Sequence, residues 1–269
     1  MSSAVPGSVL DVRAEAPFAA GHAAGAVNIP LEQLAQRVYE LPPKGSVIHL
    51  YSDDPDRRRE AAAALRLRGY LVREASLVPA DLRESGPSQA RLWQPSPLLV
   101  EALEHIRPHA ETGAPPLRAL DVACGCGRNA VYLALHGWQV DAIDVLPDAL
   151  AQARDLARRC GVCLHTVRQD LKRAAELPVG RYGVVTVLRF LHRPALPAIG
   201  QSVAPGGFIV YEAFHWRDPG RGRMPPRPGQ GLRDGELAAA FAAFEPLIAR
   251  DGVARQGRLF SQLLARRIP

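Results

Sequence analysis

Hydrophobic residues in this chain form two patterns that alternate along its length: short apolar runs and stripes at helical spacing. Ser8-Val-Leu-Asp11-Val-Arg13 is a short apolar run ending in charge, and it predicts a strand. Leu31, Leu34 and Val38 share one face of a helix from Leu31 to Leu41, which Pro42-Pro43 stops. Ser46 to Tyr51 reads as a buried strand, and Arg57 to Arg68 as an alanine-rich helix capped by Gly69. Tyr70 to Arg73 starts another strand. This order of strands and helices predicts a small parallel-sheet domain over residues 1–84.

Residues 85–97 are rich in Pro, Ser and Gly and read as a linker, with Trp93 a candidate anchor. Beyond it lies a second domain over 98–269, beginning with a helix from Leu98 to Ala110 whose Leu99, Leu103 and Ile106 share a face. An apolar run with Leu117, Leu120 and Val122 follows, then a small-residue loop, Ala123-Cys-Gly-Cys-Gly127, and a helix from Arg128 to His136. Strands at Trp138–Asp144 and Val162–Arg168 flank a helix that carries Pro147 in its first turn and ends near Arg159. A fourth strand spans Tyr182–Arg189, a helix Pro194–Val203, and a fifth strand Phe208–Phe214 after the turn Ala204-Pro-Gly-Gly207. A helix from Arg233 to Ala243 and a hairpin (Phe244–Asp251 with Arg258–Arg267) complete an α/β domain with seven strands and one antiparallel edge.

Composition narrows the class. Of 269 residues 47% are apolar, enough for ordinary cores, and no apolar run approaches the length that crosses a bilayer. Met1-Ser-Ser-Ala-Val-Pro lacks the basic start and apolar stretch of a secretion signal. All four cysteines lie between Cys124 and Cys163. Cys160-Gly-Val-Cys163 has redox spacing, yet no second Cys or His pair stands at zinc spacing. The expectation is a reducing, cytoplasmic location, buried small cysteines and no metal. The net charge of +6 comes from excess arginine, which attracts phosphate polymers and is also common in proteins of GC-rich genomes.

The chemistry centres on Leu117-Arg-Ala-Leu-Asp121-Val-Ala-Cys-Gly125-Cys-Gly127-Arg-Asn129-Ala130. Strand, glycine turn and helix start make a cradle in which backbone N–H groups and the helix dipole face a ligand. Gly125-x-Gly127-x-x-Ala130 alone also fits a dinucleotide fingerprint. Three acids favour S-adenosylmethionine. Asp121 stands where it reaches an amino group, Asp144 ends the next strand, suited to ribose hydroxyls, and Gln169-Asp170 follows the third, placed for an adenine amine. Together these residues resemble the class I methyltransferase signature. Asp121 to Ala134, with Arg128, Asn129, Tyr132 and Leu133, is most similar to the tellurite-resistance branch. Ala123 replaces that branch's first glycine, at little cost if its φ is negative. The resemblance implies a cofactor site of Asp121, Ala123, Cys124, Gly125, Gly127 and Asn129, joined by Asp144, Val145, Gln169, Asp170, Leu171 and Leu188. It also makes Arg91 to Ser96 a candidate edge of that site, and the Pro-Gly-Gly turn adds to it.

The first domain resembles a rhodanese in Asp11-Val-Arg13, Phe18 and Gly21-His22-x-x-Gly25-Ala-Val-Asn-Ile-Pro30. Active rhodaneses carry a cysteine after the strand that ends at Tyr51, where this chain has Ser52 followed by Asp53, Asp54 and Asp56. A serine hydroxyl without a base is a poor sulfur nucleophile, and the carboxylates repel a persulfide. The domain is expected to be inactive in sulfur transfer, serving as a docking module or a scaffold.

Open α/β sheets bind ligands beyond the C-terminal strand ends, so the acceptor site is expected after the fourth and fifth strands. The fourth ends in Arg189-Phe190-Leu191-His192-Arg193, without the Asn/Asp-Pro-Pro-aromatic run of base N-methyltransferases. After the fifth, Phe214 to Arg233 carries five arginines and four prolines, the composition of a binding loop or of a solvated one. Candidate substrate residues are Arg189, Phe190, Arg193, Phe214, Arg217 and Arg223. Arg189 orients an anion, and His192 or His215 acts as base. The reading is a methyltransferase for a small soft or anionic acceptor: a thiol, sulfide or chalcogen oxyanion such as tellurite or selenite. An RNA (tRNA) methyltransferase and a non-catalytic cofactor-binding scaffold remain alternatives, and the oligomeric state stays open.

Overall fold

The computed structural model describes residues 8–75, 83–110, 117–173, 176–218, 229 and 231–268. The chain divides into two compact units, 1–94 and 95–269.

In the first unit, β1 (Ser8–Asp11), β3 (Val27–Asn28), β4 (Val47–Tyr51) and β5 (Leu71–Ala75) form a parallel sheet in the order β3-β1-β4-β5. A separate pair, β2 (His22–Ala23) and β6 (Arg83–Glu84), is antiparallel. Helix α3 (Pro55–Leu67) starts on Pro55 with Asp54 as its cap, because the Asp54 carboxylate accepts the N–H groups of Asp56 and Arg57. Leu10, Ile29, Ile48, Leu50 and Leu65 are fully buried between sheet and helices. Leu92 packs into the same core, so part of the stretch read as a linker belongs to this unit's interior.

Two helical expectations change here. The helix from Leu31 to Leu41 is a single turn, α2 (Leu31–Leu34), followed by a 3-10 turn at Val38–Glu40. Arg37 is buried and forks onto Glu40 at 2.6 and 2.8 Å, an ion pair that closes the tighter turn. A short helix, α1 (Glu15–Ala20), appears where the sequence carries a proline and no stripe.

The second unit opens with α4 (Pro97–Ala110) and alternates β7 (Arg118–Val122), α5 (Arg128–Leu135), β8 (Gln139–Asp144), α6 (Pro147–Arg159), β9 (His165–Arg168) and β10 (Tyr182–Leu188). It closes with α7 (Leu196–Ser202), β11 (Val203–Phe214), α8 (Glu236–Ala240), β12 (Phe244–Arg255) and β13 (Arg258–Arg267). The sheet order is β12-β13-β11-β10-β7-β8-β9. β13 is antiparallel to both neighbours, which leaves β12 parallel to the remaining strands. The expected antiparallel edge is therefore corrected: the reversed strand lies one position inside the edge, because the hairpin folds its second arm against β11.

Alternate residues of β10 feed the two layers of core. Val185 and Val187 pack with Ile199, Leu237 and Phe241, while Val184 and Leu188 pack with Leu98, Leu99, Leu133 and Leu150. A fully buried aliphatic side chain of this kind contributes about 1.5–3 kcal/mol. β10 is buried along its whole length, as a central parallel strand covered on both faces must be.

Candidate active site

The site grows from the C-terminal end of β7. Asp121 is almost fully buried, and one of its oxygens accepts the Thr186 hydroxyl of β10 at 2.8 Å. Its other oxygen, Oδ2, is buried without a hydrogen-bond partner. Burial pushes the carboxyl up to about 7, with the nearby Asp144 charge adding to it, while donors from Thr186 and Ala130 pull the other way. An orphaned buried carboxylate oxygen at a loop end calls for a cationic or N–H partner.

The loop after β7 places three left-handed residues at alternate positions: Ala123 (φ 54°), Gly125 (φ 55°) and Gly127 (φ 78°). The expectation that Ala123 keeps a negative φ is thus corrected. The alternation turns the backbone back on itself, and Ala123 takes a glycine-favouring conformation at a cost of roughly 1–2 kcal/mol. At Gly127 a side chain has no room, since a Cβ there would lie 2.6 Å from Cβ of Ala153 in α6. The loop is fixed to β8 by Cys124 N–H on the Ile143 carbonyl (2.9 Å) and by Gly125 N–H on the Asp144 carboxylate (2.8 Å). The second Asp144 oxygen accepts the Leu146 N–H at 2.9 Å.

Beside this loop lies a crevice of about 420 Å³, lined by Ala123, Ile143, Asp144, Val145, Gln169, Asp170, Leu171, Lys172 and Phe190. It brings together six residues expected from the resemblance, at the ends of β7, β8 and β9. The Gln169 side-chain amide donates to the Glu176 carbonyl at 2.9 Å, which fixes that part of the wall. Cys124 and Leu188 sit in the core behind the loop, and burial raises the Cys124 thiol far above its usual range. Asn129 accepts the Ser96 N–H at 2.8 Å, which ties the start of α4 to the cradle helix. S-adenosylmethionine fits these residues: Asp121 offers an unsatisfied acceptor for an ammonium, and the crevice mixes carboxylates with apolar walls.

On the acceptor side the structure separates the expected residues. Phe190 lines the cofactor crevice, whereas Arg189 lines a second cavity of about 220 Å³ with Phe214, Arg255, Gln256, Arg258 and Phe260. The four residues of this group beyond Arg189 and Phe214 went unnoticed in the sequence, because the turn Gln256-Gly257 looks like any hairpin tip. Antiparallel register brings them in, setting Phe260 opposite Phe214. His192 is half-buried, and its ring has no hydrogen-bond partner among the described residues.

Two expected residues are committed elsewhere. His215 is buried; its Nε2 donates to Asp234 at 3.2 Å and its Nδ1 accepts the Arg217 N–H at 3.3 Å. Both ring nitrogens are occupied, so His215 is a structural histidine and not the base. Arg193 forks onto Glu236 at 2.5 and 3.0 Å and donates to the carbonyls of Gly229 and Gly231, which makes it a staple for that loop rather than a substrate ligand. Gly231 presses on the Trp216 backbone, where a Cβ would come within 2.5 Å of Cα. Arg217 is exposed and stacks over Trp216, and Arg223 lies outside the described residues, as do Arg221 and Arg227. Among the described residues, no group of three or more His, Cys, Asp and Glu could hold a metal, and no helix is long and apolar enough to cross a membrane.

A methyltransferase-domain family model matches residues 119–207, and a rhodanese-like-domain model matches residues 2–78. An uncharacterized protein of Schizosaccharomyces pombe is 24% identical over 76% of each chain. A ubiquinone biosynthesis O-methyltransferase of Cronobacter sakazakii is 33% identical over 36% of this chain and 42% of its own. A second, from Nitrosococcus oceani, is 32% identical over 42% and 49%. The chain thus spans under half the length of these two curated enzymes. Among solved structures, TehB from Haemophilus influenzae is 21% identical over 61% of this chain and 62% of its own, with a TM-score of 0.48. The chain joins a rhodanese-like domain to a class I methyltransferase domain, and that second domain is of the S-adenosylmethionine-dependent kind.

Proposed function

We propose that this methyltransferase acts on a small acceptor that is soft or anionic, a thiol, a sulfide or a chalcogen oxyanion. The observation that carries the reading is Arg189. It stands at the C-terminal end of β10, one residue from the crevice wall at Phe190, and it helps to line the neighbouring cavity. Excess positive charge is confined to this unit: residues 95–269 hold 22 Lys and Arg against 16 Asp and Glu, while residues 1–94 hold 11 of each.

In this reading Asp121 holds the amino group of the cofactor, Asp144 the ribose hydroxyls and Asp170 the adenine amine. The bound cofactor supplies an activated methyl group on a sulfonium. Arg189 orients the acceptor for in-line attack, and His192 takes the proton from an acceptor that arrives protonated. The walls exclude water, so most of the rate comes from alignment.

The test is methyl transfer from labelled S-adenosylmethionine to 2-mercaptoethanol, 3-mercaptopropionate, selenite and tellurite. Labelled product from any of these, reduced at least about tenfold by Arg189→Ala with S-adenosylhomocysteine affinity intact, supports the reading. Unlabelled small acceptors beside labelled RNA would replace it with the RNA alternative, for which the basic unit and exposed Lys172 and Arg173 are the supporting features. Cofactor binding with no turnover on either class would leave a scaffold.

A further inference from the structure

The hairpin turn between β12 and β13 reaches the ligand end of the sheet. It carries Arg255, Gln256 and Arg258, and these residues close the 220 Å³ cavity opposite Arg189, Phe214 and Phe260. Gln256 (φ 51°) and Gly257 (φ 70°) are both left-handed, the backbone of a tight two-residue turn, so the flanking arginines are set by the ladder and not by a loose loop.

Both guanidiniums are held rigidly from behind. Arg255 donates to Glu212 at 2.6 Å and lies 4.6 Å over the Phe260 ring. Glu212 is fully buried, and its other oxygen accepts the Gln262 amide at 2.8 Å. Arg258 places Nε and NH2 on Asp218, also buried, and lies 3.9 Å over the Phe214 ring. A second Asp218 oxygen accepts the Leu259 N–H at 2.8 Å. The carboxylates are therefore occupied from within the fold. Each guanidinium has five N–H donors, and the NH1 groups of Arg255 and Arg258 have no acceptor among the described residues. Arg255 and Arg258 thus keep N–H donors beyond those spent on Glu212 and Asp218, at the wall of a cavity that Arg189 also lines.

We infer that this hairpin cavity is an anion subsite that receives a carboxylate or another oxyanion group of the methyl acceptor, with Arg255, Arg258 and Gln256 as its recognition residues. The inference rests on the methyltransferase reading above and narrows its acceptor class. Planar donors fixed by ion pairs and ring stacking lose little freedom when they bind, which suits bidentate capture of an oxyanion. The volume admits one such group and a few further atoms, so the subsite selects for charge and leaves the reacting atom toward Arg189 and the crevice.

The test uses the full chain saturated with S-adenosylhomocysteine and titrated with sodium acetate or sodium sulfate. Binding is followed by the side-chain Nε–H resonances of arginine. Either anion is expected to shift Arg255 and Arg258 selectively, with acetate favoured if the group is a carboxylate and sulfate if it is tetrahedral. Gln256→Glu places a competing charge in the cavity without touching either ion pair, and it should weaken anion binding about tenfold. Arg258→Gln should do the same in the fraction that folds. Anion shifts spread over exposed arginines, or an affinity unchanged by Gln256→Glu, would overturn the subsite. Because no turnover is read, that failure would leave methyl transfer to thiols standing. In a parallel arm that does read turnover, Gln256→Glu should raise KM for 3-mercaptopropionate more than for 2-mercaptoethanol, and an equal effect on both would count against the subsite.

Discussion

Arg189 and Phe190 are neighbours in the chain yet line different cavities, Phe190 the cofactor crevice and Arg189 the arginine-walled space beside it. The split follows from backbone geometry. Arg189 has φ 67°, and its N–H donates to the Glu212 carbonyl at 2.6 Å. A side chain in this region is strained by roughly 1–2 kcal/mol, and such strain persists at functional positions. Arg189→Gly should relieve up to about 1 kcal/mol of this backbone strain while lowering methyl transfer to an anionic acceptor, and thermal unfolding reads the balance between that relief and the contacts the side chain gives up. A large loss of melting temperature would show that the side chain is structural instead.

Asp121 predicts a pH dependence with opposite signs for folding and for binding. Its carboxyl is raised to about 7 in the fold, above its unfolded value, so the neutral form stabilises the ligand-free protein. That contribution is present below about pH 4 and is lost as pH rises toward about 7. An ammonium ligand prefers the ionised form, so S-adenosylhomocysteine affinity should rise as pH rises to about 7, by at most about tenfold per unit, and then level off. Asp121→Asn should flatten the profile and weaken binding about tenfold or more. Calorimetric titration across this range checks both statements, and an unchanged profile in the variant would exclude Asp121 as the group involved.

The cradle makes a paired prediction. Gly127→Ala meets both a left-handed backbone and the Ala153 side chain, and should cost about 2–4 kcal/mol in stability along with cofactor binding. Ala123→Gly removes an equivalent backbone strain with no clash, and should keep or raise the melting temperature by the equivalent of up to about 1 kcal/mol. Denaturant unfolding of the two variants should separate them in opposite directions from the parent chain.

Much of this architecture is legible in the sequence because parallel strands covered on both faces leave continuous apolar runs, as at Tyr182–Leu188. Asp121 and Asp144 stand at or next to the ends of such runs, and Asp170 follows the edge strand β9, where open sheets gather ligands. What the sequence hides is long-range. Nothing local tells that Asp234 and the Arg217 backbone occupy both nitrogens of His215, or that Glu236 claims Arg193. Arg255 and Arg258 enter the site only through the pairing of β13 with β11, which period and spacing along one strand do not reveal. Ala123 shows the same limit, since its sign of φ is set by the ties from the loop to β8.

In the rhodanese-like domain, the N–H groups at the start of α3 are already taken by the Asp54 carboxylate, and Ser52 is fully buried. Arg13 is likewise spent on Asp11, with Asp53 3.7 Å away. Restoring the missing thiol with Ser52→Cys should therefore give no sulfur transfer from thiosulfate to cyanide above background. Measurable thiocyanate from that single variant would mean that the loop retains a working anion cradle.

The proposal of a small anionic acceptor is tested most directly by one competition. The intact protein receives labelled S-adenosylmethionine together with 3-mercaptopropionate, selenite and bulk tRNA, and the label in each pool is counted for the parent and for Arg189→Ala. The account predicts label in the small-molecule pool, and a fall of at least about tenfold in the variant at unchanged S-adenosylhomocysteine affinity. Label confined to tRNA, or a variant that labels small acceptors as fast as the parent, would contradict it.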